Sequence, residues 1–190
     1  MSILKPPELT PGARRILDTA SRLFYERGLQ AVGVDTVAAE SGVTKRTLYD
    51  RFGSKDALIV AYLQRRDASW WARWEDRLDS TTERRALTVF DAYREDADPS
   101  GRGCAFLNAA AELPPTHPGF RVIVAHKRRV RDRLEELIRE ERDDAAALAD
   151  HIYLLVEGAI SQQAIDGDAH RLGEAKEFAA RLWDVTASTR

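Results

Sequence analysis

The chain has 190 residues, 44% of them hydrophobic and 32% charged, with 11 Gly and 7 Pro, a composition that excludes collagen-like, low-complexity and disordered chains. Its one cysteine, Cys104, cannot form an internal disulfide; no uncharged apolar run approaches the roughly 20 residues of a membrane span; and the opening Met1-Ser2-Ile3-Leu4-Lys5 lacks the apolar stretch of a signal peptide, so a cytoplasmic protein with no membrane partner is expected. The net charge of −2 hides an asymmetry, because residues 1–66 hold 11 basic and 7 acidic side chains and the remainder 18 and 24, a basic front fitted to a polyanion on an acidic body.

Apolar residues recur at helical spacing along the whole chain, without a bounded run of strict alternation, so the fold reads as all-α. A first helix is expected over 11–27, with Thr10 as N-cap, Pro11 in the first turn and Gly28 as its stop. Two short helices follow over 34–40 and 45–51, separated by Ser41-Gly42-Val43, and a long helix starts after Phe52-Gly53-Ser54 and runs to about Leu78. A helix over 81–94, a linker over 95–103 containing Asp98-Pro99-Ser100-Gly101, and a short helix over 104–113 come next. Pro114-Pro115-Thr116-His117-Pro118-Gly119 breaks the chain, and three long helices are expected over 120–141, 144–165 and 170–186.

The stretch from Val34 to Phe52 carries the clearest chemistry. Val37 and the small Ala38 face inward, Gly42 ends the first short helix in a left-handed conformation, Val43 plugs the corner and Thr44 caps the next helix. With Leu48 and Phe52 turned inward, the 100° step per residue puts Arg46, Thr47 and Asp50 on the opposite face and Lys45 and Tyr49 on a flank. A helix-turn-helix lays such a face in the major groove, where Arg or Lys reads guanine and Thr meets a thymine methyl or an acceptor. The same spacing also fits an αα-corner with a solvated face. Ser54 caps the following helix and places Lys55 in its first turn, a position that suits a bound phosphate or a local pairing with Asp56.

From about residue 13 to 63 the chain resembles the DNA-binding domain of the TetR (tetracycline-repressor-like) family. The resemblance is carried by Phe24-Tyr25-Glu26-Arg27-Gly28, by Val37-Ala38-Ala39-Glu40-Ser41-Gly42-Val43, and by Thr47-Leu48-Tyr49-Asp50-Arg51-Phe52-Gly53-Ser54-Lys55-Asp56-Ala57-Leu58. It implies an N-terminal three-helix helix-turn-helix domain, taken as 1–58, and a larger helical effector-binding and dimerisation domain, 59–190. It also implies that Thr44, Lys45, Arg46, Thr47 and Tyr49 meet the groove or its phosphates, and that Lys55 meets a phosphate. Gly33 departs from the family's pattern, since many members have a capping Thr there. Gly103-Cys104-Ala105-Phe106-Leu107-Asn108-Ala109-Ala110-Ala111-Glu112 is similar to a stretch found in one subgroup and names no ligand.

In the larger domain Trp70, Trp74, Phe90, Tyr93 and Phe106, with the polar Asn108, His126 and His151, are candidates for the lining of an effector pocket, although an aromatic stripe at helical spacing is also what a plain core looks like. His126, on the apolar side of its helix, reads as a hydrogen-bonded core histidine. Leu148, Ile152, Leu155 and Val156, and Phe178, Leu182 and Trp183, give the last two helices apolar faces broad enough to need cover on two sides, which a second copy of the chain supplies unless both helices sit centrally in one bundle. No Glu stands three residues before a histidine, and there is no Cys-x-x-Cys, His-Glu-x-x-His, Gly-x-Ser-x-Gly or phosphate loop, so neither an enzyme, a cofactor nor a metal is expected. The expected function is a sequence-specific DNA-binding transcriptional regulator, a ligand-responsive repressor acting as a homodimer on a near-palindromic double-stranded operator with a small-molecule effector. The alternative is a helical protein-protein adaptor without DNA binding.

Overall fold

The structure is a computed structural model that describes residues 3–97 and 102–187, with side chains to residue 185. The expected linker tetrapeptide Asp98-Pro99-Ser100-Gly101 lies outside the described residues. Among those residues the regular elements are all helical: α1 Pro11–Arg27, α2 Val34–Ser41, α3 Lys45–Phe52, α4 Lys55–Asp79, a 3-10 turn Arg85–Thr88, α5 Val89–Asp96, α6 Ala105–Glu112, α7 Pro118–Arg139, α8 Ala145–Asp166 and α9 Arg171–Ala187. No described helix is long and apolar enough to cross a membrane.

The chain divides into two compact units, one of Met1–Ser69 with Ala105–His126, the other of Trp70–Cys104 with Lys127–Arg190. In the first, α1 packs on α2 and α3. Thr10 Oγ1 accepts the Ala13 N–H and Pro11 opens α1, as the sequence predicts. The stripe Ile16, Leu17, Ala20, Leu23 and Phe24 is buried, and Phe24 meets Tyr62 of α4 edge-on at 5.7 Å between ring centroids. In the second unit α8 packs along α9, and α5 touches both. Its core takes Leu148, Ile152, Val156 and Ile160 from α8 and Leu172, Ala179 and Trp183 from α9.

Two boundaries correct the sequence reading. The helix expected over 81–94 is instead a turn, the 3-10 segment Arg85–Thr88 and the short α5. Ser80 Oγ and Thr81 Oγ1 both donate to the Arg77 carbonyl at the end of α4, a local alternative to helix continuation. Arg84 then adopts a left-handed φ of 48°, held by its guanidinium on Asp184 Oδ1 at 2.6 Å. The second correction is that α7 starts at Pro118 rather than 120, because the fixed φ of proline and its missing N–H both suit a first helical position.

Candidate nucleic-acid interface

The crossing of α2 and α3 is set by backbone chemistry. Gly42 has φ 68° and ψ 29°; its N–H reaches the Ala39 carbonyl at 3.3 Å and the Val43 N–H reaches the Ala38 carbonyl at 3.1 Å, the paired bonds of a Schellman ending that a side chain at this φ strains. Thr44 Oγ1 accepts the Thr47 N–H at 3.1 Å and lies 2.9 Å from Thr47 Oγ1, so α3 begins capped and Thr47 is half tied to its own cap. Leu48 is fully buried and Phe52 half-buried, which braces α3 from behind.

The outward face then carries Lys45, Arg46, Tyr49 and Asp50, all exposed, with Thr47 half-buried beside them. Arg46 extends furthest, with 91% of its side chain accessible and only a 3.9 Å approach to Asp50. Lys45 is tied back to α2, its Nζ 2.9 Å from Asp35 Oδ1; the hydrogen bond first, and then the carboxylate charge, hold its ammonium above the usual lysine range. Asp35 is a member of this surface that sequence reasoning missed, because its partner stands ten residues away on another helix. Gly33 caps α2 without a side-chain bond. At the start of α4, Ser54 Oγ accepts the Ala57 N–H at 3.0 Å. Lys55 has no ion-pair partner among the described residues, and Asp56 faces His117 Nε2 at 3.3 Å instead. The result is a polar helix face with a projecting guanidinium, next to a capped helix N-terminus with an unclaimed lysine. Such an arrangement can hold phosphates and read base edges.

The family model of bacterial regulatory proteins of the tetR family matches residues 16–62, which takes in all of this surface. A crystal structure of a TetR-family transcriptional regulator from Streptomyces coelicolor is 34% identical, with 90% of this chain covering 89% of that one at a TM-score of 0.83. The chain belongs to the TetR family. Curated relatives match over shorter stretches: the transcriptional activator FasR of Mycolicibacterium smegmatis is 38% identical over 71 residues, 37% of this chain and 32% of that one. The transcriptional repressor KstR2 of Mycobacterium tuberculosis is 37% identical over 67 residues, 35% and 33%. The chain thus spans between a quarter and a third of the length of such relatives.

Beyond the helix-turn-helix of this TetR-family chain, the expected effector residues fall into separate places. Trp70, Trp74, Phe90 and Tyr93 are buried together in the second unit, with Trp70 5.1 Å from Trp74 and 5.5 Å from Tyr93 between centroids. Trp74 Nε1 donates to Thr88 Oγ1 at 3.0 Å. Sequence reasoning missed Trp71, which meets Trp70 edge-on at 5.2 Å between ring centroids and lies under the Arg129 guanidinium. It also missed a polar knot beside Tyr93, where Lys127 Nζ donates to both carboxylate oxygens of Glu157 at 2.6 and 2.8 Å, to Tyr93 Oη at 3.2 Å and to Cys104 Sγ at 3.6 Å. Burial opposes the charge on Lys127, but Cys104 and Glu157 outweigh it and keep the ammonium above the usual range. Phe106, Asn108 and His126 belong to the first unit. There Phe106 stacks on His126 at 3.7 Å, and His126 Nδ1 is hydrogen-bonded to Asp67 Oδ1 at 2.7 Å, both side chains almost wholly buried. His151 stands exposed on α8.

The dimerisation residues divide as well. Leu148, Ile152, Val156 and Trp183 are taken into the core of their own protomer, Leu155 and Leu182 are half-buried, and Phe178 is exposed. The apolar groups left on the surface of α8 and α9 are Leu154 and Ile165, and Phe178 and Val185. On α8, Leu154 and Ile165 continue through exposed His151 and Gly158 as one stripe, spaced by three, four and seven residues and free of Lys, Arg, Asp and Glu.

Proposed function

We propose that this chain is a sequence-specific DNA-binding transcriptional regulator, a homodimeric repressor that releases a near-palindromic operator when a small effector binds. The observation that carries the reading is the outward face of α3, where Arg46 projects from a helix braced by the buried Leu48. Residues 1–58 perform DNA binding: Arg46 and Thr47 read base edges, Lys45 and Tyr49 flank them, Thr44 holds the helix start, and Lys55 joins the Ser54-capped end of α4 in gripping a phosphate. Residues 59–190 supply dimerisation and effector binding, with the exposed α8 and α9 apolar groups supporting the first role and the aromatic group Trp70, Trp74, Phe90 and Tyr93 the second. The protein works in the cytoplasm, catalyses no reaction, and switches by a shift in population between operator-competent and operator-incompetent states, which a coupling of about 1–3 kcal/mol suffices to produce.

The test is selection of duplexes by the full-length protein from a randomised pool, followed by footprinting of the DNA upstream of its own gene. The expected result is an enriched near-palindrome whose half-sites lie about 34–36 Å apart or a multiple of that, with affinity falling steeply as salt rises. A pool that yields no enriched duplex, together with an unprotected upstream region, overturns the reading.

A further inference from the structure

Two parts of the sequence stand outside the reading above: the end of the Gly103–Glu112 stretch, and the Pro-rich break that follows it. In the structure both belong to the same compact unit as α1, α2 and α3. Glu112, the last residue of α6, reaches the loop between α1 and α2, 82 residues earlier in the chain. Its Oε2 accepts the Gln30 backbone N–H at 2.8 Å, and its own carbonyl accepts from Gln30 Nε2 at 3.3 Å. The carboxylate lies directly over Gly28, whose φ is +93° and where a Cβ would stand 2.9 Å from Glu112 Oε1. Five residues on, His117 Nδ1 accepts the Gly119 N–H at 3.0 Å, and its buried Nε2, which makes no hydrogen bond, comes within 3.3 Å of Asp56 Oδ1 in the first turn of α4. Gly119 itself lies against α4, where a Cβ would meet Leu63 Cδ1 at 3.2 Å.

The two contacts therefore bracket the helix-turn-helix. Glu112 holds the chain just before it enters α2, and His117 lies against it just after it leaves α3. Neither touches the outward face of α3. We propose that Glu112 is a positioning residue that fixes the entry to the helix-turn-helix, so that the end of α6 sets how α3 is presented to DNA. The inference rests on the DNA-binding reading and adds to it the residues through which α6 acts. A carboxylate or a carboxamide oxygen at this reach can accept the Gln30 N–H, so the length of the side chain matters more than its charge.

The test uses the full-length protein and a duplex enriched by the selection above, with a scrambled duplex as comparison. Glu112→Asp keeps the charge and loses the reach; Glu112→Gln keeps the reach and an accepting oxygen. E112D is expected to lower the ratio of specific to scrambled affinity about tenfold, with the salt slope and the urea unfolding midpoint unchanged and with faster amide hydrogen exchange over residues 30–52. E112Q is expected to stay close to wild type. Gln30→Ala, which removes only the 3.3 Å side-chain bond from an exposed residue, is expected to move the ratio the same way by about threefold. Wild-type binding with the ratio unmoved in both E112D and Q30A overturns the inference and leaves the DNA-binding reading standing. If the wild type enriches no duplex, the reading falls and the inference falls with it.

Discussion

Lys45 Nζ stands 2.9 Å from Asp35 Oδ1, so the first cation of α3 is anchored to α2, the helix behind it. Arg46, the next residue, projects with its side chain 91% accessible. One cation is held and its neighbour is left to reach, which separates their expected effects. Lys45→Ala should weaken binding to all duplexes alike and flatten the plot of log affinity against log salt by about one phosphate contact. Arg46→Ala should leave scrambled DNA nearly untouched and relax base preference at one position per half-site, by about 1–3 kcal/mol. Fluorescence anisotropy over a salt series, on specific and scrambled duplexes, distinguishes the two.

Gly42 turns the chain between α2 and α3 with φ 68°, and beyond its immediate chain neighbours no atom lies within 4 Å of where a Cβ would be. The cost of a side chain there is therefore backbone strain alone. Gly42→Ala is expected to destabilise the protein by about 1–2 kcal/mol, and Gly42→Asn by less, since asparagine tolerates the left-handed region. Urea denaturation of the two variants checks the order.

Such local features were legible in the sequence because each is a contract between residues a few positions apart. Thr10, Thr44 and Ser54 cap the residues three further on, and Gly42 closes the end of its own helix. The contacts that escaped sequence reasoning join residues far apart in the chain: Asp35 with Lys45, Gln30 with Glu112, and Lys127 with Glu157. A helical wheel shows that a residue is polar and on which side it lies, but not which distant group it meets. The last two helices show the matching limit for apolar residues. Periodicity found the stripe Leu148, Ile152 and Val156, yet that stripe faces its own protomer's core, while Leu154, off the stripe, is 67% exposed.

Lys127 and Glu157 keep only 14% and 17% of their side chains accessible. Removing one partner from so buried a pair strands the other, so Lys127→Met is expected to cost about 3 kcal/mol, and Lys127→Met with Glu157→Leu much less. The same region sets a direction for alkaline pH. Burial, with the charge of Glu157 behind it, raises Tyr93 well above the usual tyrosine range and Tyr153 to about 12, and Lys127 is also held high. In each case the native protein keeps a proton that the unfolded chain gives up. Stability should therefore be full below about pH 10 and fall as pH rises from there toward about 12. Circular dichroism at stepped pH should show that fall, and Tyr153→Phe should lessen it.

On α8, Leu154 occupies the middle of an exposed stripe from His151 to Ile165 that carries no Lys, Arg, Asp or Glu. Leu154→Glu would bury an unpaired charge in a homodimer built on that face, at a cost of several kcal/mol per interface once both copies are counted. Light scattering should report a monomer for this variant and a dimer for wild type. Leu148→Glu, in the protomer core, should instead abolish folding.

Three of the four tryptophans, Trp70, Trp71 and Trp74, lie within 5.2 Å of one another, centroid to centroid, on α4, while Trp183 sits far along the chain on α9. Indoles this close couple their excited states, so the protein has a built-in optical reporter. Its dichroism should carry an exciton couplet from the strong far-ultraviolet indole transitions of α4, and a rotation of a single ring there would be visible without any added dye.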